Sequence, residues 1–226
     1  MENQGTKIFH IAGHAMEKYH CENRKIIAKR LKSILVDAEV SCINNGCINN
    51  IITKEFRRET VSSRTVLVDQ NLKPNKMYYL ESGLVRLFLK TSGQKSFTLF
   101  FVSGGEFVFI PFLELSNQFR RLSLQAVSDC VVWSVEIENF KRNSMCNNSL
   151  WDYLKINFLK EFEEVVSMRE YFFQSYNAKE RYDILMTENL DLINKAPDKY
   201  LASYIGVAPE TYSRMKLSRK KYSKLK

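Results

Sequence analysis

Apolar and polar positions change their period several times along the chain. Over residues 14 to 40, Met16, Tyr19, Ile26, Ile27, Leu31, Ile34 and Leu35 recur at helical spacing among Lys, Arg and Glu. A helix is predicted there, ended by Asn44-Asn45-Gly46. From about Lys54 to Val135 the texture becomes one of short β-type runs. Eight strands are predicted: Phe56–Val61, Thr65–Val68, Met77–Glu81, Leu84–Lys90, Ser96–Val102, Glu106–Ile110, Leu122–Val127 and Val131–Glu136. Turn signals separate them, among them Leu72-Lys73-Pro74-Asn75, Ser82-Gly83, Ser92-Gly93 and Ser103-Gly104-Gly105. Within one run Val85, Leu87 and Leu89 alternate with Arg86, Phe88 and Lys90, which reads as a half-buried antiparallel strand. Strands this short and this regularly spaced suggest a roll, sandwich or jelly-roll barrel.

Beyond Ile137 the period lengthens again. Trp151, Phe158, Val165 and Phe172 recur every seventh residue. Leu154 and Met168 occupy a second column, in which Glu161 is the exception. One helix over residues 147 to 176 would be roughly 45 Å long at about 1.5 Å per residue. Its apolar stripe needs a partner. Packing on its own domain would make it an ordinary core helix; packing on a second copy would make Trp151, Leu154, Phe158, Val165, Met168 and Phe172 a dimer interface.

Residues 196 to 215 carry the most information. Tyr200, Leu201 and Tyr204 form an apolar face on a short helix, and Ala202 is small, as a close helix crossing requires. Gly206 permits a left-handed turn residue. Val207 would plug the angle between two helices, and Pro209 suits a first helical position. Glu210, Thr211, Ser213 and Arg214 would then project from the second helix, with Tyr212 and Met215 turned inward. This is the helix-turn-helix layout, in which the start of the second helix meets base edges. An unspecialised helix pair is the plainer reading of the same turn.

Charge strengthens the former. The chain carries +9 overall. Residues 209 to 226 hold seven basic side chains against the single acid Glu210, a net +6 in that stretch alone. A basic terminus suits a polyanion, although a solvated lysine tail has the same composition. The hydrophobic fraction of 45% and charged fraction of 26% are those of an ordinary soluble protein. No apolar run is long enough for a membrane span, and the start lacks the form of a secretory signal, so a cytoplasmic protein without membrane contact is expected. Five irregularly spaced cysteines, Cys21, Cys42, Cys47, Cys130 and Cys146, fit a reduced chain.

Ala202-Ser203-Tyr204-Ile205-Gly206-Val207-Ala208-Pro209-Glu210-Thr211-Tyr212-Ser213-Arg214 resembles the recognition motif of the Crp/Fnr transcription regulators. Leu80 to Arg86 and Gly105-Glu106-Phe107 resemble two turns of that family's cyclic-nucleotide-binding β-roll. Asn177 to Tyr182 is similar to the start of its DNA-binding domain. The likeness runs in order over residues 50 to 217. It implies an α+β protein: an antiparallel β-roll sensor with an N-terminal helix (1–146), a long dimerisation helix (147–176) and a helix-turn-helix domain (177–226). It implies a homodimer on double-stranded DNA, with RNA polymerase a further candidate partner. Glu210 and Arg214 become the base readers, as their chemistry allows: arginine can bond guanine bidentately and glutamate can accept from a cytosine amino group. Thr211, Ser213, Lys216, Arg219 and Lys220 become phosphate contacts. Two departures stand out. Pro209 replaces an arginine found in some members, which removes one base contact. The chain also ends soon after the recognition helix, so the family's wing is expected to be minimal or missing.

The sensor departs further. Where nucleotide-binding members carry a Gly-Glu pair that holds the ribose, this chain has Phe109-Ile110. Where they carry an Arg-Ser phosphate clamp, it has Arg120-Arg121-Leu122. A cyclic phosphate needs a positive clamp with further donors, so cyclic AMP is not expected. An effector pocket involving Phe107, Phe109, Arg120 and Arg121, with an apolar or other unidentified ligand, or no effector at all, is expected instead. The cysteines lack the spacing for an iron–sulfur cluster, and no cofactor is expected. A cupin-like metal enzyme would need histidines on strands, but His10, His14 and His20 all precede the β region. No enzyme activity and no metal are expected. A dimeric or ligand-sensing β-roll protein without sequence-specific DNA binding is the remaining alternative.

Overall fold

The computed structural model describes residues 22–33, 45–69, 75–90, 95–108, 110, 122–143 and 149–223. Among the described residues, eight strands form two four-stranded sheets: β1 (Arg57–Val61), β2 (Val66–Val68), β3 (Lys76–Ser82), β4 (Leu84–Lys90), β5 (Ser96–Ser103), β6 (Glu106–Val108), β7 (Leu122–Ala126) and β8 (Cys130–Glu136). One sheet has the order β1-β8-β3-β6 and the other β2-β7-β4-β5. Every strand lies within two residues of its expected bounds. The inward residues of both sheets make one core, including Val61, Leu80, Val85, Leu87, Leu124 and Val132. Gly83, at φ 101°, turns β3 into β4 under the chain at Asp129 and Cys130. A Cβ there would lie 2.6 Å from the Asp129 carbonyl oxygen, so glycine is required.

Among the described residues, eight helices accompany the sheets: α1 (22–33), α2 (Asn45–Glu55), α3 (Ile137–Asn143), α4 (Ser149–Ser175), α5 (Ala178–Glu188), α6 (Leu190–Lys195), α7 (Asp198–Tyr204) and α8 (Pro209–Ser223). The α2 helix corrects the sequence reading, which makes residues 44 to 46 a break with β structure after it. Asn45 and Gly46 sit at the first positions of the helix, where they cost little. Ile48, Ile51 and Ile52 then form a fully buried i, i+3, i+4 face. The α3 helix is a further addition to the elements that the sequence predicts.

The chain divides into two compact units. One joins residues up to Arg57 with Ser134–Asn157, around Ile27, Leu31, Ile51, Phe140 and Leu154. In it the Phe140 and Trp151 rings meet edge to face at 6.0 Å. The other joins Arg58–Trp133 with Phe158–Lys226 and carries both the sheets and α5 to α8. Its second core gathers Tyr182, Leu185, Tyr200, Leu201, Ala202, Ile205 and Tyr212, and reaches the sheets at Leu84 and Val127. The helical and β parts of this unit are therefore packed together rather than tethered.

The same packing corrects the reading of β4. Alternation places Arg86 and Phe88 on an open face, yet all of Leu84 to Phe88 is buried. Helix α7 lies on β5 and covers that face. Among the described residues no helix is long and apolar enough to cross a membrane, and no three potential ligands cluster for a metal. Cys130 is buried with a free thiol.

Candidate nucleic-acid interface

Helix α5 starts at a complete capping box. The Asn177 side chain accepts from the Lys179 and Glu180 amides, and the Glu180 carboxylate accepts from the Asn177 amide at 2.7 Å. This fixes the point where the chain leaves α4. Helices α7 and α8 follow, joined by a tight turn in which Gly206 adopts φ 70°. The Val207 amide donates to the Ala202 carbonyl across the turn at 3.0 Å. Ala202, fully buried, lets the two helices cross.

Two arginines hold this turn from outside the motif. Arg169 of α4 donates to the Tyr204 carbonyl at 2.8 Å. Arg181 of α5 donates to the Ile205 carbonyl at 2.9 Å. Both guanidinium groups stack on Phe173, at 4.8 and 4.6 Å from its ring centroid. Cations at the carbonyl end of α7 suit the helix dipole, and burial holds the Arg169 pKa down to about 10, still charged at neutral pH. The motif itself carries no sign of this clamp; the signal available is aromatic Phe173 beside Arg169 and Arg181 at a helix junction.

On α8 the inward and outward positions separate as the motif expects. Tyr212 is buried and packs edge to face on Tyr182 at 5.4 Å, with Met215 beside that core. Glu210, Ser213, Arg214 and Arg219 are exposed, and Thr211 is half-buried. Lys216 is engaged: its ammonium donates to both Asp198 carboxylate oxygens at 2.8 Å. The backbone of Lys220 is helical, while its side chain lies outside the described residues. The helix continues to Ser223, so the residues just past the reading positions extend it.

The heptad columns divide along α4. Trp151, Leu154 and Phe158 are buried within the chain, so they are not free for a second copy. Phe172 is half-buried, whereas Val165 and Met168 are open, Met168 at 73% exposure. Tyr171 and Val166 extend this exposed apolar stretch.

Of the expected effector residues, Phe107 is buried against Tyr79 at 5.1 Å. It lines a cavity of about 310 Å³ between β5, β6 and α4, with Leu87, Phe100, Phe158 and Phe162. Among the described residues, the polar groups lining it are Ser103, Glu106 and Glu161, and none of the lining side chains is basic. Phe109, Arg120 and Arg121 lie outside the described residues, as do His10, His14 and His20.

Residues 58–144 match the cyclic nucleotide-binding domain family. No curated protein sequence matches the chain. Among solved structures, FixK2 from Bradyrhizobium japonicum aligns at a TM-score of 0.59 and 17% identity, covering 74% of this chain and 85% of its own. A transcriptional regulator of the Crp/Fnr family from Eubacterium rectale gives 0.60 and 17%, covering 74% and 79%. The c-di-GMP-responsive global regulator CLP of Xanthomonas campestris gives 0.59 and 17%, covering 80% and 93%. The chain thus has the fold of the Crp/Fnr regulators, and these structural neighbours are transcription regulators.

Proposed function

We propose that this protein is a DNA-binding transcription regulator that works as a homodimer on a pseudo-palindromic operator. The observation that carries this reading is α8 itself. It begins in the open with Glu210, Ser213 and Arg214, and its opposite side is anchored by buried Tyr212. A reading helix needs that combination of a free face and a rigid back. Arg214 would bond guanine and Glu210 would accept from cytosine. Thr211, Ser213, Arg219 and Lys220 would take phosphates, and Lys216 would have to leave Asp198 to do so.

The second copy would pair along the open part of α4, through Val165 and Met168. Residues 1–146 would act as the sensor, 147–176 as connector and 177–226 as reader. RNA polymerase would be met on the promoter. Cyclic AMP is a poor candidate effector: Phe109-Ile110 stands where nucleotide-binding members hold the ribose, and Leu122 where they carry the serine of the phosphate clamp.

Operator selection from random duplexes, followed by gel-shift titration at 50 and 200 mM salt, tests the proposal. A palindromic consensus and a steep salt dependence are expected. Binding to no duplex at either salt would refute it.

A further inference from the structure

A cation of α8 is already paired inside the protein. Lys216 follows Arg214 by two residues, and its ammonium donates to both oxygens of Asp198 at 2.8 Å. Asp198 lies in the first turn of α7, the other helix of the motif. Both side chains of the pair are open to solvent, Lys216 at 40% exposure and Asp198 at 52%. Arg214 and Arg219 of the same helix have no carboxylate partner among the described residues.

The plain role of the pair is to staple α7 to α8, with the acid also suiting the start of a helix. An exposed ion pair is a weak staple, however. The core beneath already fixes the two helices through Leu201, Ala202, Ile205 and Tyr212. The position of the pair is more telling. In a helix-turn-helix on DNA the second helix enters the major groove while the first crosses the phosphate backbone. Lys216 stands on the former and Asp198 on the latter. The carboxylate thus takes the place that a phosphate oxygen would take at this ammonium, and the two anions are rival acceptors for it.

We propose that Asp198 is a specificity-determining residue, which withholds Lys216 from DNA that the reading face does not fit. This inference rests on the DNA-binding reading. On an unmatched duplex α8 is loosely seated, Lys216 stays on Asp198, and the neutral pair adds nothing to the attraction for the backbone. On the operator, Arg214 and Glu210 seat the helix and bring a phosphate within reach. Lys216 then exchanges its carboxylate partner for a phosphate oxygen. A counterion is released in the matched complex alone, so the exchange raises the ratio of specific to non-specific binding rather than affinity at large. Asp198 acts as the repulsive element against unmatched DNA.

Titration of the full chain against the selected operator and a scrambled duplex, between 50 and 200 mM salt, tests the exchange. One phosphate contact changes Kd by roughly threefold over that range. K216Q should weaken the operator by about threefold or more and flatten its salt slope by about one unit, while the scrambled duplex binds as before. D198N should tighten the scrambled duplex by about threefold and steepen its salt slope by about one unit, with a smaller change on the operator. In the K216Q background D198N should lose most of this effect, because the ammonium it would free is gone. Both positions are exposed, and thermal melting checks that each variant is folded. An unchanged scrambled-duplex Kd in D198N overturns the inference. So does a D198N gain that persists in full in the K216Q background, or equal weakening of both duplexes by K216Q. Each of these leaves the DNA-binding reading standing. A parent protein that binds no duplex refutes that reading, and the inference falls with it.

Discussion

The Ser203 hydroxyl accepts a hydrogen bond from the Thr98 amide at 2.7 Å, joining the first helix of the helix-turn-helix to strand β5. The same hydroxyl donates to the Ser96 carbonyl at 2.8 Å. Strand β5 is the edge of its sheet, so one side chain satisfies two backbone groups that would otherwise seek another strand. The Phe101 and Tyr204 rings meet beside it at 5.5 Å. Ser203→Ala leaves the buried Thr98 amide unpaired, which should cost about 1–3 kcal/mol. Hydrogen exchange at Thr98 should accelerate while exchange in β3 stays the same. Unaltered exchange at Thr98 would show that the hydroxyl does not tie α7 to the sheet.

Gly206 and Phe173 are coupled sterically. A Cβ on Gly206 would lie 2.5 Å from Phe173 Cε1, and the ring cannot easily retreat because Arg169 and Arg181 both stack on it. Gly206→Ala therefore suffers both this clash and the cost of φ 70°, roughly 1–2 kcal/mol for the latter alone. Adding Phe173→Ala should remove the clash and leave the backbone strain. In urea denaturation the two changes should be non-additive by at least about 0.5 kcal/mol, the double variant being more stable than the sum predicts. Simple additivity would mean that the ring moves aside freely.

Much of this arrangement is legible in the chain, and the exceptions share a cause. The eight strands are legible because alternation and turn residues agree at each. The α7–Gly206–α8 turn is legible because Gly206, Pro209 and buried Tyr212 serve one geometry. Arg86 is misplaced by the pattern because period-2 alternation assigns faces within one strand and is blind to what lands on them. Phe88 on the supposedly open face, with Tyr200 on the helix, is the trace of that cover. Trp151, Leu154 and Phe158 keep heptad spacing whether their partner is a second copy or the rest of the chain, so the columns alone do not choose.

Among the described residues, Tyr212 has a buried hydroxyl without a hydrogen-bond partner. Its ring is needed against Tyr182, but its oxygen is not. Tyr212→Phe should leave the melting temperature unchanged or raise it, by the equivalent of up to about 1–2 kcal/mol. Burial also pushes the phenol pKa up, with Asp198 adding to the effect. The unfolded chain therefore ionises first as pH rises past the ordinary tyrosine value of 10.0, and stability falls there. The Phe variant should show a shallower loss of stability above that pH. A variant destabilised by more than about 1 kcal/mol at neutral pH would reveal a partner for the hydroxyl.

The proposed dimer should depend on the open half of α4. Val165→Glu with Met168→Glu changes two exposed positions, so the protein should sediment as a monomer with its melting temperature nearly retained. Phe158→Glu instead buries a charge in the chain's own core and should destabilise by about 3 kcal/mol or more at any oligomeric state. Sedimentation of the Val165/Met168 variant as an intact dimer at tens of micromolar would remove this stretch from the interface.

Base reading and phosphate contact on α8 should separate by specificity. Arg214 and Arg219 are both exposed, and charge alone does not distinguish them. Arg214 lies near the start of the helix, where side chains reach base edges, and Arg219 lies well beyond it. Arg214→Ala should cost roughly 1–3 kcal/mol on the selected operator and relax preference at one base pair in each half-site. Arg219→Ala should weaken the operator and a scrambled duplex alike, and flatten the salt slope by about one unit for each phosphate left without its cation. Glu210→Ala should relax preference at its own base pair while strengthening non-specific binding, because it removes a negative charge beside the phosphates. Titrating the three variants against both duplexes at several salt concentrations resolves these effects. Equal weakening of both duplexes by Arg214→Ala would make Arg214 a phosphate contact and leave sequence reading to other residues of the helix.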